Sequence, residues 1–183
     1  MGTPTTWQID PTHSAAEFAV KHLMISTVKG RFSDVSGTVT VDDAKPGEAA
    51  VAVSINVASI DTREEKRDAH LRSADFFDAE KYPTITFKGK RITGPLDGEF
   101  KLVGDLTIRD VTREVTLEVE SAGEVKDPWG GVRAGFSAST KINRKDYGLT
   151  WNVAMETGGV LVGDEIKISL DVQLVRQAAP VAA

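Results

Sequence analysis

The residues with the clearest chemical potential lie in one short stretch, DAHLRSADFFDAEKYPTITF, which runs from Asp68 to Phe87. Four of its charged or reactive side chains, those of His70, Arg72, Asp75 and Asp78, surround Phe76 and Phe77. A histidine close to an aspartate can act as a general acid or base, and the same residue types bind metal ions. They also cap helices and form ion pairs. Three hypotheses follow for this stretch: an active site, a metal site or a structural cap.

The histidines do not predict a metal site. The chain has three, His13, His22 and His70, and their spacings match no familiar ligand motif such as His-Glu-x-x-His. The chain has no cysteine, so thiolate ligands and disulfides are both excluded. We therefore expect no metal and no cofactor.

The sequence leaves one catalytic function open as an alternative. Ser73 lacks the Gly-x-Ser-x-Gly elbow of serine hydrolases, and the sequence shows no base paired with it. We therefore predict no catalytic residue and a protein that is not an enzyme. The alternative is a small-molecule hydrolase or isomerase that uses His22 or His70 with an aspartate.

Length and charge restrict the class of protein. The 183 residues fit one domain, and a net charge of −5 argues against nucleic-acid binding. No apolar run is long enough for a membrane span, so we expect no stable membrane insertion. The N-terminus MGTPTTWQID lacks the pattern of a signal peptide, and we expect a cytoplasmic protein. We place the domain at residues 7–175, between a flexible N-terminus (1–6) and a flexible tail (176–183).

Strict alternation of apolar and polar residues dominates most of the chain. The alternating runs are AEFAVKH, VSGTVTV, AVAVSINV, FKLVGDLTI, EVTLEVE, RAGFSASTKI and EIKISLDVQL. A period of two with one polar face is typical of antiparallel strands around an enclosed interior. Turn signals separate the runs, and Asp97-Gly98 predicts a two-residue hairpin turn between TITFKGKRI and FKLVGDLTI. Hairpins between neighbouring strands favour an up-and-down barrel over a Greek-key sandwich.

The segment DTREEKRDAHLRSADFFDAEKYP interrupts this rhythm, because it has no alternation and is rich in helix-forming residues. Thr62 and Glu65 predict a capping box at its start. Asp68 is spaced to pair with Arg72, and Ser73 is placed to cap a second short helix that ends before the proline of KYP. Helix capping therefore explains most of the polarity of this segment and leaves its histidine and two phenylalanines unexplained.

The interior of a small barrel either fills with side chains or holds one small ligand. Small residues share the inward parity with large ones at Ala16, Gly37, Gly104, Ala134 and Ala138. They leave volume unless neighbouring side chains lean in, although tapering of this kind occurs in any small barrel. A ligand cavity and a filled barrel that acts as an interaction module therefore both stay open.

Four segments between Trp7 and Val175 carry a resemblance to a known family: WQIDPTHSAAEFAVKHLMISTVKGRF, RDAHLRSADFFDAEKYPTITF, GDLTIRDVTREVTLEVE and INRKDYGLTWN. Together they resemble the YceI-like family, the polyisoprenoid-binding, lipocalin-like proteins. The resemblance implies an all-β fold, an eight-stranded antiparallel up-and-down barrel of lipocalin-like shape with short helices in a strand connection. It also implies a lipid with a long isoprenoid or alkyl chain along the barrel axis. Many members of the family are periplasmic or secreted.

The predicted partner is therefore a long-chain apolar lipid, an isoprenoid, an isoprenoid quinone or a fatty amide or acid, which the chain sequesters or transports. Burial gains about 0.8 kcal/mol per methylene, whereas association costs roughly 4–15 kcal/mol. A chain of about twenty carbons therefore binds with almost no polar contact. The sequence leaves a homodimer open. The predicted ligand-binding residues face inward from the strands or lie near the openings: Phe18, Val20, His22, Phe32, His70, Phe76, Phe77, Phe87, Leu106, Ile108, Phe136, Trp151 and Met155.

Overall fold

The alternating runs form strands of one antiparallel β-sheet in a computed structural model, which describes residues 3–156 and 159–178. The strands are β1 (Thr5–Ile9), β2 (Ala15–His22), β3 (Ser26–Phe32), β4 (Val35–Val41), β5 (Ala50–Asn56), β6 (Ile60–Asp61), β7 (Thr84–Thr93), β8 (Glu99–Ile108), β9 (Val111–Lys126), β10 (Val132–Asn143) and β11 (Val162–Arg176). The helix α1 spans Glu65–Arg72. Short 3-10 helices span Pro11–His13, Pro46–Glu48, Val57–Ser59 and Arg144–Tyr147.

The sheet closes into a barrel because β1 pairs with both β4 and β11. β11 is long enough to pair with β1 near its end and with β2 near its start, so β1 and β2 together occupy one position around the barrel. β4 and β3 share the next position, and β5 and β6 share the third. With β7, β8, β9, β10 and β11 this makes eight positions. The predicted eight-stranded antiparallel up-and-down barrel is therefore confirmed.

The pairing of the strands puts the residues that were predicted to face inward on the interior side of the barrel. β10 pairs Ala134 with Leu174 and Ala138 with Leu170 of β11, and all four side chains face the interior. On either side of Ala138, Ser137 and Ser139 are exposed on the outer surface. This is the period of two that the sequence predicts for a strand with one polar face.

The hairpin between β7 and β8 forms where it was predicted, but its turn differs. β7 ends at Thr93 and β8 begins at Glu99, so the connection has five residues instead of the predicted two. Gly94 takes a φ of +112°, which a residue with a side chain rarely adopts. Asp97-Gly98 closes a turn that starts at Pro95, whose carbonyl accepts from the Gly98 N–H at 3.1 Å.

The start of α1 differs from the predicted capping box. The N-cap is Glu64, whose carboxylate accepts hydrogen bonds from two backbone N–H groups of the first turn. The prediction of a box between Thr62 and Glu65 is therefore wrong. Thr62 is buried instead, and it donates from both its N–H and its hydroxyl to the carboxylate of Asp68.

The predicted pair between Asp68 and Arg72 is also wrong, because the buried Asp68 carboxylate already accepts from Thr62. Arg72 points to the barrel and donates to the carbonyl oxygens of Ala58 at 3.2 Å and Ile60 at 3.1 Å. Both side chains therefore fasten α1 to the connection before it, and neither stabilises the helix alone.

The second helix predicted after Ser73 does not form. Ser73 ends α1, and its hydroxyl donates to the carbonyl of His70. Residues 74–81 form turns, and β7 begins at Thr84, directly after Pro83. Trp151 and Met155 lie in an irregular connection that contains an isolated bridge between Ala154 and Val160.

The predicted domain limits fall close to the ends of the barrel. Thr5 and Thr6, placed in the N-terminal segment, belong to β1, and Arg176 is the last residue of β11. Residues 1–2 and 179–183 of the two predicted flexible ends lie outside the described residues.

Candidate ligand cavity

The barrel encloses a cavity of about 680 Å³. Of the strands described above, all but β6 contribute to its wall, and the wall residues are mostly apolar. Its centre is formed by Phe87, Leu102, Leu106, Leu117, Ala138 and Leu170. A barrel filled by its own side chains would leave no continuous space of this size, so the structure favours the ligand cavity over the filled interaction module.

One end of the cavity, here the closed end, is covered by α1, by residues 73–83 and by the 3-10 helix Arg144–Tyr147. Four wall residues at this end are buried: Phe76 is 7% exposed, Ile108 5%, Leu149 4% and Arg144 3%. β6 pairs only with β3 among the described strands, so the sheet leaves a gap beside β7 that α1 and the following turns cover. The helical segment therefore acts as a cap on the barrel.

The opposite end, here the mouth, is formed by the connections 42–49, 94–98 and 127–131. Wall residues at this end are exposed to solvent: Asp43, Asp97, Gly123, Glu124 and Arg176. The cavity therefore opens at the mouth, and three carboxylates against one guanidinium give its rim a net negative charge.

Small inward residues leave the space in some places and not in others. Ala16, Ala134 and Ala138 all line the cavity. At Gly104, by contrast, the Phe87 ring lies 2.5 Å from where a Cβ would stand, so the aromatic ring fills the space. The alanines on β2 and β10 therefore keep the cavity open, whereas this glycine admits a larger neighbour.

The structure brings most of the predicted ligand-binding residues to the cavity wall. Those that line it are Phe18, Val20, Phe32, Phe76, Phe77, Phe87, Leu106, Ile108 and Phe136. His22, His70, Trp151 and Met155 do not. On a helix, adjacent residues such as Phe76 and Phe77 would face different directions. Both line the cavity, because the chain there forms turns.

His70, Phe76 and Trp151 form a cluster at the closed end. The His70 ring packs edge-on against Trp151, with 4.7 Å between ring centres, and against Phe76 at 5.1 Å. His70 Nε2 lies 2.8 Å from a carboxylate oxygen of Asp75. The side chains of the pair are 37% and 53% exposed, so water screens their interaction. The cluster connects the turns after α1 with the connection between β10 and β11, and only Phe76 of the three reaches the cavity.

Arg144 is the main residue of the site that the sequence did not reveal. Its guanidinium donates to the carbonyl oxygens of Leu149 at 2.7 Å, Gly163 at 2.8 Å and Trp151 at 2.9 Å. Burial lowers the pKa of Arg144 below its usual value, and the carboxylate of Asp164, 3.7 Å away, opposes part of that effect. Arg144 therefore holds together the connection that covers the closed end. Its sequence context, INRKDYGL, contains no periodicity that could have shown this.

Tyr147 packs at the same end and is 2% exposed. Among the described residues its hydroxyl has no hydrogen-bond partner. Burial, with a smaller contribution from Asp146, raises the pKa of Tyr147 to about 12. Tyr147 is absent from the cavity wall, so this hydroxyl faces packed protein.

Two general features of the described residues, 3–156 and 159–178, complete the site. They contain no group of three or more histidine, aspartate or glutamate side chains placed to hold a metal ion. None of their helices is long and apolar enough to cross a membrane.

Comparison with known proteins gives a family. Residues 7–174 match the family described as the YceI-like domain. A UPF0312 protein of Staphylococcus aureus (strain N315) is 41% identical over 164 residues, which cover 89% of this chain and 93% of that protein. Protein YceI of Escherichia coli O157:H7 is 41% identical over 165 residues, which cover 90% of this chain and 83% of that protein.

Solved structures agree on the barrel. The YCEI protein of Campylobacter jejuni is 35% identical, with a TM-score of 0.71 over 86% of this chain and 90% of that one. BcnA of Burkholderia cenocepacia is 24% identical, with a TM-score of 0.75 over 90% and 98% of the two chains. A polyisoprenoid-binding domain from Saccharophagus degradans is 16% identical, with a TM-score of 0.67 over 94% and 98%. The last two share the fold with this chain.

Proposed function

This chain belongs to the YceI-like family, and from that membership and the shape of its cavity we propose that it binds a long-chain apolar lipid inside the barrel, to sequester or carry it. The observation that carries the proposal is the cavity of about 680 Å³, apolar along its length, closed at one end and open at the other. Its volume falls within the range of about 300–1,000 Å³ that is typical of small-molecule sites. The candidate ligands are isoprenoids, isoprenoid quinones and fatty amides or acids.

The composition of the wall suits a ligand that binds by its length. Each buried methylene gains about 0.8 kcal/mol, and association costs roughly 4–15 kcal/mol. About five carbons offset the lower limit of that cost and about twenty exceed the upper one. A precise polar site is therefore unnecessary for tight binding.

The two ends suggest an orientation for the ligand. At the closed end Arg144 directs its N–H groups to backbone carbonyls, so it offers little to a polar head group. At the mouth the wall includes charged side chains that water also reaches. We therefore assign the apolar tail to the closed end and the head group to the mouth.

The alternative of a hydrolase or isomerase has no support in the geometry. His22 and His70 both lie outside the cavity wall. The close contact between His70 and Asp75 fits a fastening role, because the His70 ring is packed between two aromatic rings of the closed end. We propose no catalytic role for either histidine.

A pair of neighbouring substitutions tests the binding proposal. Ala138 faces the cavity and Ser139 faces solvent on the same strand. Ala138→Phe places a ring inside the cavity, whereas Ser139→Phe adds the same ring outside. We expect A138F to reduce lipid occupancy at least roughly tenfold and S139F to leave it unchanged. Native mass spectrometry and organic extraction of the purified proteins measure occupancy, and thermal unfolding checks that both variants fold.

Two results would contradict the proposal. In the first, no lipid co-purifies with the wild-type chain, and added isoprenoid quinones, fatty amides and long-chain alcohols all fail to bind. In the second, a lipid binds but A138F and S139F lower its occupancy equally, which would place the lipid outside the barrel.

A further inference from the structure

Apolar side chains are exposed at both ends of the barrel. On the hairpin between β9 and β10, at the mouth, Trp129 is 83% exposed and Val125 is 64% exposed. At the closed end Met24 is 57% exposed, Ile25 84% and Val153 47%. Exposure alone therefore does not distinguish the two ends. The backbone that carries each exposed side chain, and its distance from the cavity opening, must be compared as well.

Trp129 is held on a rigid turn. The carboxylate of Asp127 accepts hydrogen bonds from the N–H groups of Trp129 at 2.9 Å and Gly131 at 2.8 Å. Gly130 supplies the positive φ, +84°, that the turn requires. The bond from the Gly131 N–H contributes most to keeping the pKa of Asp127 below its usual value. The backbone of the turn is therefore fixed, while its largest side chain remains in water.

The turn is also tied to the body of the barrel. Arg133 pairs with Asp127 at 3.0 Å and with Asp10 at 2.8 Å, and it donates to the side-chain oxygen of Gln173 at 2.8 Å. These contacts connect the hairpin with the end of β1 and with β11. The backbone that carries the exposed indole consequently has a fixed position relative to the mouth.

The same hairpin forms part of the cavity mouth. Gly123 and Glu124, on β9 just before Val125, line the cavity. Trp129 therefore projects from the turn of a hairpin whose own strand borders the opening through which a lipid must pass.

We propose that the mouth hairpin, residues 125–131, docks the barrel onto the surface of a membrane made of neutral, zwitterionic lipids, with the Trp129 ring in the interface. The inference rests on the proposed function, because a lipid carrier must collect its ligand from such a surface. Indole rings combine a large apolar area with one N–H donor, and they concentrate where hydrocarbon meets water. An indole carried on a fixed turn beside the opening would bring the cavity directly to the lipid.

The charge of the mouth selects the kind of membrane. Asp43, Asp97 and Glu124 lie at the rim, and the whole chain carries a net charge of −5. Anionic lipid surfaces repel such a face within about 8 Å at physiological ionic strength. Zwitterionic surfaces carry no net charge and accept the indole without this repulsion. Phosphatidylcholine vesicles therefore represent the proposed partner, and vesicles enriched in phosphatidylglycerol serve as the unfavourable surface.

The test compares two equally exposed apolar residues at opposite ends. Transfer of a pyrene-labelled long-chain alcohol from phosphatidylcholine vesicles into the barrel is measured for wild type, Trp129→Ala and Ile25→Ala. We expect W129A to slow transfer roughly tenfold and I25A to change it by less than about twofold. Trp129→Phe should retain most of the rate. Phosphatidylglycerol in the vesicles should slow transfer, and added salt should restore part of it.

Three results would overturn the docking proposal: equal transfer rates for W129A and wild type, slower transfer for I25A than for W129A, or a tryptophan effect that sedimentation traces to loss of a dimer. The last would make a second copy of this chain the occupant of the hairpin surface. Loading the same alcohol from ethanol, without vesicles, separates docking from binding. If the wild type fails to load there, and the unlabelled quinones, fatty amides and alcohols fail as well, the proposed function is wrong. Flotation of wild type and W129A with empty vesicles still decides the docking.

Discussion

The two ends of this barrel use polar residues in opposite ways. At the closed end two charged side chains are buried: Arg144 is 3% exposed and Asp68 7%. Their partners are backbone carbonyls and a threonine of the same end. At the mouth, Asp43, Asp97 and Glu124 are exposed on the rim. The closed end therefore buries charge among its covering segments, whereas the opening of the cavity at the mouth is lined by exposed charge.

This difference explains how an open barrel keeps an apolar interior. A β-barrel has no sheet edge along its sides, but both ends must be either covered or left to solvent. The covering segments at the closed end are irregular, so their carbonyl groups need donors that strands would otherwise provide. Arginines supply several donors in a fixed planar arrangement and meet that need. The mouth has short connections, and one of its arginines, Arg133, bonds to the side chains of Asp10, Asp127 and Gln173 instead of to backbone carbonyls.

Of the substitutions that compare the two ends, Arg144→Met at the closed end is expected to change stability the most. The substitution leaves the buried carbonyls of Leu149, Trp151 and Gly163 without their donor, and each such loss costs free energy. We expect the free energy of unfolding to fall by roughly 3–5 kcal/mol. Urea denaturation measures it.

Arg176→Met is the matched control at the mouth. Arg176 is exposed, and its guanidinium lies 6.0 Å from the centre of the Trp7 ring. Such a contact is worth no more than about 1 kcal/mol at an exposed site. Equal losses for R144M and R176M would show that the closed end does not depend on its buried arginine.

The barrel could be predicted from the sequence because the residues of its strands alternate between the apolar interior and the polar outer surface. Alternation in EIKISLDVQL, for example, identifies the inward residues of β11 directly. The residues of β10 that pair with them face inward too. The cavity wall follows from the same parity, which is why the inward phenylalanines were found. Turn details depend on contacts outside the turn, and the five-residue connection after Thr93 could not be read from Asp97-Gly98 alone.

The closed end could not be predicted in the same way, because its side chains bond to residues distant in sequence. Local helix rules assign Thr62 to a cap and Asp68 to a pair with Arg72, yet in the fold Thr62 and Asp68 bond to each other. Arg144 reaches carbonyls up to nineteen residues away, which no local pattern encodes. Helix rules gave the correct position for α1 and the wrong partners for its side chains, since tertiary contacts override local preference.

Tyr147→Phe should have a smaller effect, and one of opposite sign. Removing a buried hydroxyl without a partner should raise the free energy of unfolding by up to about 1 kcal/mol near neutral pH. The pKa of Tyr147 is about 12 in the folded chain and 10.0 in the reference state. Because the pKa is higher in the folded chain, the unfolded chain loses the phenol proton first as pH rises. The contribution of the neutral Tyr147 phenol to the free energy of unfolding is therefore complete below pH 10.0 and is lost as pH rises towards 12. Y147F should therefore lose less stability than wild type over that interval.

Unfolding by denaturant across this pH interval measures the difference between Y147F and wild type. Tyr82→Phe, which removes the other tyrosine of the chain, controls for the loss of a phenol. If Y147F and Y82F alter the pH profile to the same extent, the burial of Tyr147 is not the cause.

The smallest effect is expected from the charges of the mouth. A triple variant, Asp43→Asn with Asp97→Asn and Glu124→Gln, removes the negative rim while leaving the apolar wall intact. Since the head group is assigned to the mouth, the affinity for oleate should rise about two- to fivefold at low salt. That gain should shrink as salt screens the exposed charges, and the affinity for a long-chain alcohol should stay constant.

The matched variant removes the same charge from the closed end, through the exposed residues Glu80, Asp110 and Glu156. Changing these to Gln, Asn and Gln alters the net charge equally, so any effect common to both variants reports the charge of the whole chain. Fluorescence titration with oleate compares them. A gain confined to the mouth variant means that the head group lies among Asp43, Asp97 and Glu124. A gain confined to the closed-end variant would reverse the assigned orientation, because the carboxylate of the ligand would then lie near the cap.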